Sequence, residues 1–286
     1  MEDRSTDGSR WLPAILAGPV AALLCLFFLA PVWRALRVSL TSAAGALTPA
    51  AYAQVAQSRG LWADLGFTLA TAFLALIPCT AIALPVSFLL RKTFPGQRFL
   101  RVAVLFPLVV PHLIAAYSLR LALAPSGPIF GTLAALPFFR DPPQLVNHWT
   151  GLVIALTWKF FPVMALTLSA ALETIPASLE EAARDLGAGA WRRLVEILLP
   201  LLVPALLSGG ALIFIMAAAQ FSITLVIYGS PGLTTIPMDI YTEAFGLSRW
   251  DVASALGIVL TVVSLGLLAL AVAAVRRVTR TALGTP

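Results

Sequence analysis

The sequence predicts an all-α polytopic membrane protein with about six transmembrane helices, and three observations predict it. Of its 286 residues, 59% are hydrophobic and only 11% are charged, against about 25% charged in soluble domains. The apolar residues gather into uninterrupted runs long enough to cross a bilayer, which takes about 20 residues each. The basic residues cluster at the ends of those runs, where orientation signals lie. A β-barrel would show alternating segments of about 10 residues, and these runs do not alternate. The net charge of +6 is therefore no signature of a nucleic-acid partner; the lipid bilayer is the partner that composition implies. Cys25 and Cys79 both fall inside apolar runs, which argues against a structural disulfide, and no metal-ligand spacing is present.

Residues 1–10 read as a polar tail. The first run, Trp11 to Val32, is too long for the apolar core of a signal peptide and lacks a clean cleavage site after it, so it is expected to be a retained span. Residues 33–60 read as a loop. The second span, Leu65 to Leu90, contains Pro78 and Pro85 and ends in a short basic loop with a Pro95-Gly96 turn. The third, Val102 to Leu123, holds Pro107, Pro111 and His112. A proline-rich loop with Pro125, Pro128, Pro137, Pro142 and Pro143 follows. The fourth, Trp149 to Leu172, contains Lys159 and Pro162. The fifth runs from Leu201 to Tyr228 and leads into a Gly229-Ser230-Pro231-Gly232 loop. The sixth spans Val252 to Val275 and is closed by Arg276, Arg277 and Arg280.

With the N-terminus inside, twelve basic residues lie on the cytoplasmic side and six on the outer side, with Lys159 within a span, which accounts for the nineteen Lys and Arg. The bias puts both termini in the cytoplasm, together with a charged island from Glu173 to Glu196. That island holds five of the thirteen acidic residues. Pro176 marks a helix start, and Ser178 with Glu181 forms a capping box. Gly187 is a helix stop. Leu179, Ala182, Ala183 and Leu186 share one apolar face, and Glu180 is spaced to pair with Arg184. After Gly187-Ala188-Gly189 a second short helix is expected, with Trp191, Leu194, Val195 and Leu198 on one face and Arg192 paired with Glu196. Both helices are expected to lie against the membrane. Asp185 sits where the helix dipole disfavours an anion, by about 0.3–1 kcal/mol, and it faces Glu181 four residues away. A cation from outside the chain would relieve both. Solvent screening and Arg184 offer the structural alternative.

Glu181-Ala182-Ala183, then Gly187, Ile197 and Leu199-Pro200, match at every position the EAA signature of binding-protein-dependent ABC importer permeases. The chain resembles that family over about residues 61–275. The resemblance implies a type I importer transmembrane fold. It divides the chain into residues 1–60 (tail, first helix and outer loop), a transmembrane domain at 61–275 with its coupling loop at 173–200, and a cytoplasmic tail at 276–286. It implies that Glu181 meets a basic residue of a separate ATPase, that Ala182 and Ala183 permit close packing, and that Gly187 makes the turn, with Asp185, Ile197, Leu199 and Pro200 completing the ATPase-coupling set. Gly189 departs from the Ser or Thr often found there, a loss of a few tenths of a kcal/mol in capping. The implied partners are a second permease, identical or homologous, two ATP-binding cassette subunits, and a periplasmic or lipid-anchored binding protein. The implied location is the bacterial inner membrane.

No Walker A loop occurs, so this chain is expected to be no enzyme; ATP and Mg would be bound by the partner ATPase subunits, with no cofactor in this chain. His112 and His148 lie far from acidic partners, and no HExxH motif or paired aspartates fall in the spans. A stand-alone ion-coupled carrier would need intramembrane acids, and the spans as drawn contain none. A structural membrane subunit without a conduit is the third reading. Candidates for a translocation path are Lys159, Gln220, Ser222, Tyr117 and Arg120, because polar groups inside spans are costly. For Lys159 the alternative is snorkelling, for Gln220 hydrogen bonding across helices, and for Tyr117 and Arg120 interfacial anchoring. The motif Tyr228-Gly229-Ser230-Pro231-Gly232 with Ile236-Pro237 resembles the family's outer gate loop. Together with Ala124-Pro125-Ser126-Gly127-Pro128 it is similar to the polyamine, phosphonate, thiamine and ferric-iron group. With Lys159 and Arg120 the only full charges near the path, an anionic or zwitterionic solute is expected.

Overall fold

The computed structural model describes residues 17–42, 45–133, 143–229 and 232–283. The polar tail, the start of the first run, Pro137, Arg140, Pro142 and Ser230-Pro231 lie outside the described residues. Among the described residues twelve α-helical segments carry the fold: α1 (Ala17–Ser39), α2 (Ala50–Gln57), α3 (Arg59–Leu90), α4 (Gln97–Val109), α5 (His112–Leu123), α6 (Pro128–Leu133), α7 (Trp149–Thr174), α8 (Ala177–Asp185), α9 (Ala190–Ala218), α10 (Ser222–Ile227), α11 (Ile236–Tyr241), followed by a π-type turn at Thr242–Gly246, and α12 (Trp250–Leu283). Among the described residues the β pairing is one isolated bridge, Thr41 to Leu47. Six helices are long and apolar enough to cross a membrane, as the sequence predicts.

Several boundaries differ from the sequence reading. The loop assigned to 33–60 contains the end of α1 and all of α2, where Thr48 accepts from the Ala50 N–H at 3.2 Å. The third span is two helices: Val110 is extended, at ψ 126°, as a residue before proline must be. The expected second short helix of the island is continuous with the fifth span as α9. A single π-type turn at Leu194–Leu198 absorbs the change in helical phase, the Leu199 N–H donating to Leu194. The fifth span then stops at Ala218 instead of running on to Tyr228. Because α3 begins at Arg59 and α9 at Ala190, Asp64 and Glu196 lie within long helices that the reading had drawn free of acids.

The chain forms two compact units. The first comprises residues 1–59 and 239–259. Within it the Ser39 hydroxyl donates to Leu36 and lies 2.8 Å from the Tyr52 hydroxyl, fixing α2 against the end of α1. Arg249 and Glu243 form an ion pair at 2.7 Å. The second unit comprises residues 60–238 and 260–286 and is built around α7. Leu152, Leu156, Phe160, Met164, Leu168 and Leu172, one residue in every four, are all fully buried. Helix α3 meets α7 through a stripe of small residues, Ala72, Ala75, Cys79, Ala83 and Ser87. The approach is close enough for the Ser87 hydroxyl to donate across to Ala165 at 3.1 Å and Cys79 Sγ to Thr157 at 3.6 Å. Helix α9 packs on α7 at Gly209, where a Cβ would stand 3.0 Å from Met164 Sδ and 3.3 Å from Thr167 Cγ2. In lipid the gain comes from this close fit, since tails are as apolar as leucine.

Candidate functional site

Two sites emerge from the second unit. One is the loop at the end of α7. Ile175 and Pro176 are extended, with ψ of 119° and 134°, and Pro176 caps α8. The capping box does not form: the helix starts two residues earlier than Ser178 requires, so Ser178 is already its second residue and makes no cap bond. The stop is as read. Gly187 takes φ +82°, which L side chains with a Cβ resist. Its N–H donates to Arg184 at 2.9 Å, and the Ala188 N–H reaches back to Ala183 at 2.9 Å. This pair of bonds is a Schellman closure. Gly189 caps α9 with no side-chain bond, and Arg192 pairs with Glu196 at 2.8 Å.

The apolar face of α8 is not laid on this chain. Only Ala183 is buried, while Leu179 is 45% exposed and Leu186 89% exposed. Glu181, Ala182 and Asp185 are exposed beside them. Glu181 at the middle of α8 and Asp185 at its end thus share an exposed surface with two leucines. Ile197 and Leu199 are half-buried and Pro200 is exposed where α9 leaves the loop. Glu180 does not pair with Arg184. It takes the guanidinium of Arg91, the first residue beyond α3, whose other Nη donates to the Ile175 carbonyl at 3.1 Å. Sequence spacing gave no sign of this pair, which joins residues 89 apart.

The second site is the set of helix breaks. Pro111 lacks the N–H that the Pro107 carbonyl would receive in a continuous helix. Lys159 of α7 supplies the missing donor: its Nζ lies 2.7 Å from the Pro107 carbonyl and 2.7 Å from that of Val110, and the residue is 2% exposed. Lys159 thus holds the end of α4 at the break that precedes α5. Arg120 holds the far end of α5, donating to the Val226 carbonyl and, at 3.2 Å, to Asn147 Oδ1. The Asn147 N–H takes the Ile227 carbonyl at 2.8 Å, so the C-terminal carbonyls of α10 are satisfied from outside the helix. Tyr117, between the two cations along α5, is 60% exposed. Gln220 lies in the gap between α9 and α10. It is buried, its carbonyl accepts from Thr224 at 2.9 Å, and its amide Nε2 has no partner among the described residues. Ser222, half-buried, opens α10.

A staple that local sequence patterns do not signal lies at the loop before α11. Asp64 Oδ1 accepts the Thr234 N–H at 2.7 Å and Thr68 Oγ1 accepts the Ile236 N–H at 2.9 Å, fastening the loop before α11 to α3. Phe67 stacks near Tyr228, ring centroids 5.0 Å apart.

The second unit is thus a bundle of long apolar helices with breaks in it and an exposed acidic loop helix. Residues 46–280 match the family of binding-protein-dependent transport system inner membrane components. The chain is 31% identical over 254 residues to a protein of Salmonella typhimurium named as a 2-aminoethylphosphonate transport system permease protein, PhnU, with 88% of each chain covered. It is 30% identical over 191 residues to the spermidine/putrescine transport system permease protein PotB of Haemophilus influenzae, covering 66% of each. Its fold is similar to the crystal structure of a bacterial ABC transporter involved in the import of the acidic polysaccharide alginate, with TM-score 0.80 at 20% identity, covering 95% of this chain and 97% of that one. This chain belongs to the binding-protein-dependent transport system inner membrane component family and is a permease subunit of an ABC importer. The stand-alone carrier and the conduit-free structural subunit are thereby set aside.

Proposed function

We propose that α8 is the coupling helix through which a separate ATPase drives this permease. The observation that carries the reading is the exposed face of α8, with Leu179 and Leu186 unpartnered beside Glu181 and Asp185. Glu181 meets a basic residue of the ATPase, and Asp185 receives the external cation that its place near the end of α8 invites. Ala182 allows the ATPase backbone to approach. Gly187 turns the chain, and Ile197, Leu199 and Pro200 fix where α9 enters the membrane. The working assembly contains a second permease, two ATP-binding subunits and a periplasmic or lipid-anchored binding protein. ATP and Mg are held by the ATPase subunits, and this chain is no enzyme. The loop and both termini face the cytoplasm.

The solute path runs by the breaks that Lys159, Gln220, Ser222, Tyr117 and Arg120 mark, and the solute is small and anionic or zwitterionic. Among the described residues Lys159 and Arg120 bond to carbonyls and an amide and to no carboxylate. The name of the Salmonella relative points to the same chemistry, a solute with one phosphonate and one amine.

The test is co-purification with the cognate ATPase from detergent. Glu181→Lys should weaken association at least about tenfold, the equivalent of about 1.4 kcal/mol. Undiminished association of a Glu181→Lys, Gly187→Val double variant would overturn the coupling reading. For the solute, 2-aminoethylphosphonate should compete for ATP-driven uptake where putrescine does not.

A further inference from the structure

We infer that Arg91 makes α3, α7 and the coupling helix α8 one mechanical body, so that a pull on α8 moves the second span together with the fourth. The inference rests on the coupling reading of α8 and adds a positioning residue to it.

Helix α8 is attached to the rest of the chain at two places. At its start, the Ile175-Pro176 connector joins it to α7. At its end, Gly187-Ala188-Gly189 joins it to α9, and glycines are the residues least able to hold an angle. A two-residue connector does not by itself fix the angle between two helices, because the ψ angles of Ile175 and Pro176 remain soft. Arg91 bridges that connector. One Nη binds Glu180 in the first turn of α8 and the other binds the Ile175 carbonyl. That carbonyl has no helical donor to receive, since the Leu179 N–H turns to Pro176 instead. Both sides of the hinge are therefore clamped by one planar guanidinium, a geometry that an ammonium does not reproduce.

The pair is sheltered: the two side chains are 24% and 26% exposed, so solvent screens it less than the open Arg192–Glu196 pair, at 69% and 58%. Between α8 and α3 lies a cleft of about 770 Å³ lined by Pro85, Phe88, Arg91, Glu180, Glu181 and Arg193, and among the described residues Arg91 is the side chain that hydrogen-bonds across it. Arg91 is itself anchored. Its N–H donates to Ser87 at 3.2 Å, and Gln97 Nε2 closes the last carbonyl of α3, Leu90, at 2.8 Å. The Ser87 hydroxyl reaches Ala165 of α7. The clamp thus closes a ring of three helices.

The experiment places spin labels at Thr93→Cys and Ser178→Cys, in a background lacking Cys25 and Cys79, on the chain assembled with its ATPase subunits in nanodiscs. With Arg91 present, the distance distribution should be narrow and the same with and without ATP. Arg91→Ala and Glu180→Ala should each widen it at least about twofold. Arg91→Lys, which keeps the charge without the planar fork that reaches both Glu180 and the Ile175 carbonyl, should widen it as well. Retained co-purification of the ATPase controls for folding. A distribution that ignores Arg91→Ala, or one that shifts with ATP while Arg91 is intact, overturns the inference. Because both labels sit on this chain, that result is separate from the outcome of Glu181→Lys, which tests the coupling reading alone.

Discussion

Lys159 shows how one side chain can stand in for a backbone group. Two carbonyls left by the break at Val110 and Pro111 converge on its ammonium at 2.7 Å each. An orphaned buried acceptor costs about 1–3 kcal/mol, and polar contacts between membrane helices average nearer 0.6. Lys159→Met keeps the length and removes the donors, so it should lower the midpoint of thermal unfolding in detergent. Pro111→Ala restores an N–H for the Pro107 carbonyl. The double variant should therefore be more stable than Lys159→Met alone, and strictly additive losses would sink this account. Gly209 makes a second point at the same scale. Gly209→Leu must displace Met164 and Thr167, and a loss of about 1–3 kcal/mol is expected from overpacking, read as the same midpoint.

At the scale of the element, α8 is a helix whose ends are specified and whose face is left open. The Schellman closure at Gly187 needs a positive φ, which a β-branched residue adopts only at a cost. Gly187→Val should open that closure. Hydrogen exchange at the Gly187 and Ala188 amides should speed up, while exchange in α7 stays as slow as before. Equal exchange in both variants would mean that the turn is held by something other than its glycine. The capping box expected of Ser178 and Glu181 fails because Pro176 already provides the extended cap two residues earlier, and the separate pair expected of Glu180 and Arg184 gives way to Glu180 with Arg91.

On the scale of the whole molecule, the six spans and the basic bias predict that α8 and the loop before α11 face opposite sides of the membrane. A single cysteine at Ser178 should react with an impermeant thiol reagent only in inverted vesicles, and one at Gly232 only in right-side-out ones. Reaction of both from the same side would overturn the six-span orientation. The loop before α11 is tied to α3 through Asp64 and Thr68, so its position is bound to the same helix that Arg91 links to α8.

The class of fold was legible in the sequence because a bilayer imposes a length and an apolarity that few other structures need. The start and stop of α8 were legible as well, since Pro176 and Gly187 are local helix-boundary signals, and the helix begins just after the one and ends just before the other. The helix breaks were only half legible: Pro107 and Pro111 announced a disturbance without showing that Lys159 would fill it. What the tertiary structure alone decided are the pairings between distant residues: Lys159 with Pro107 and Val110, Arg120 with Val226, Arg91 with Glu180, Asp64 with Thr234. Local periodicity reports which face of a helix is apolar. It carries no term for which carbonyl, 50 or 100 residues away, will lack a donor once the helices have packed.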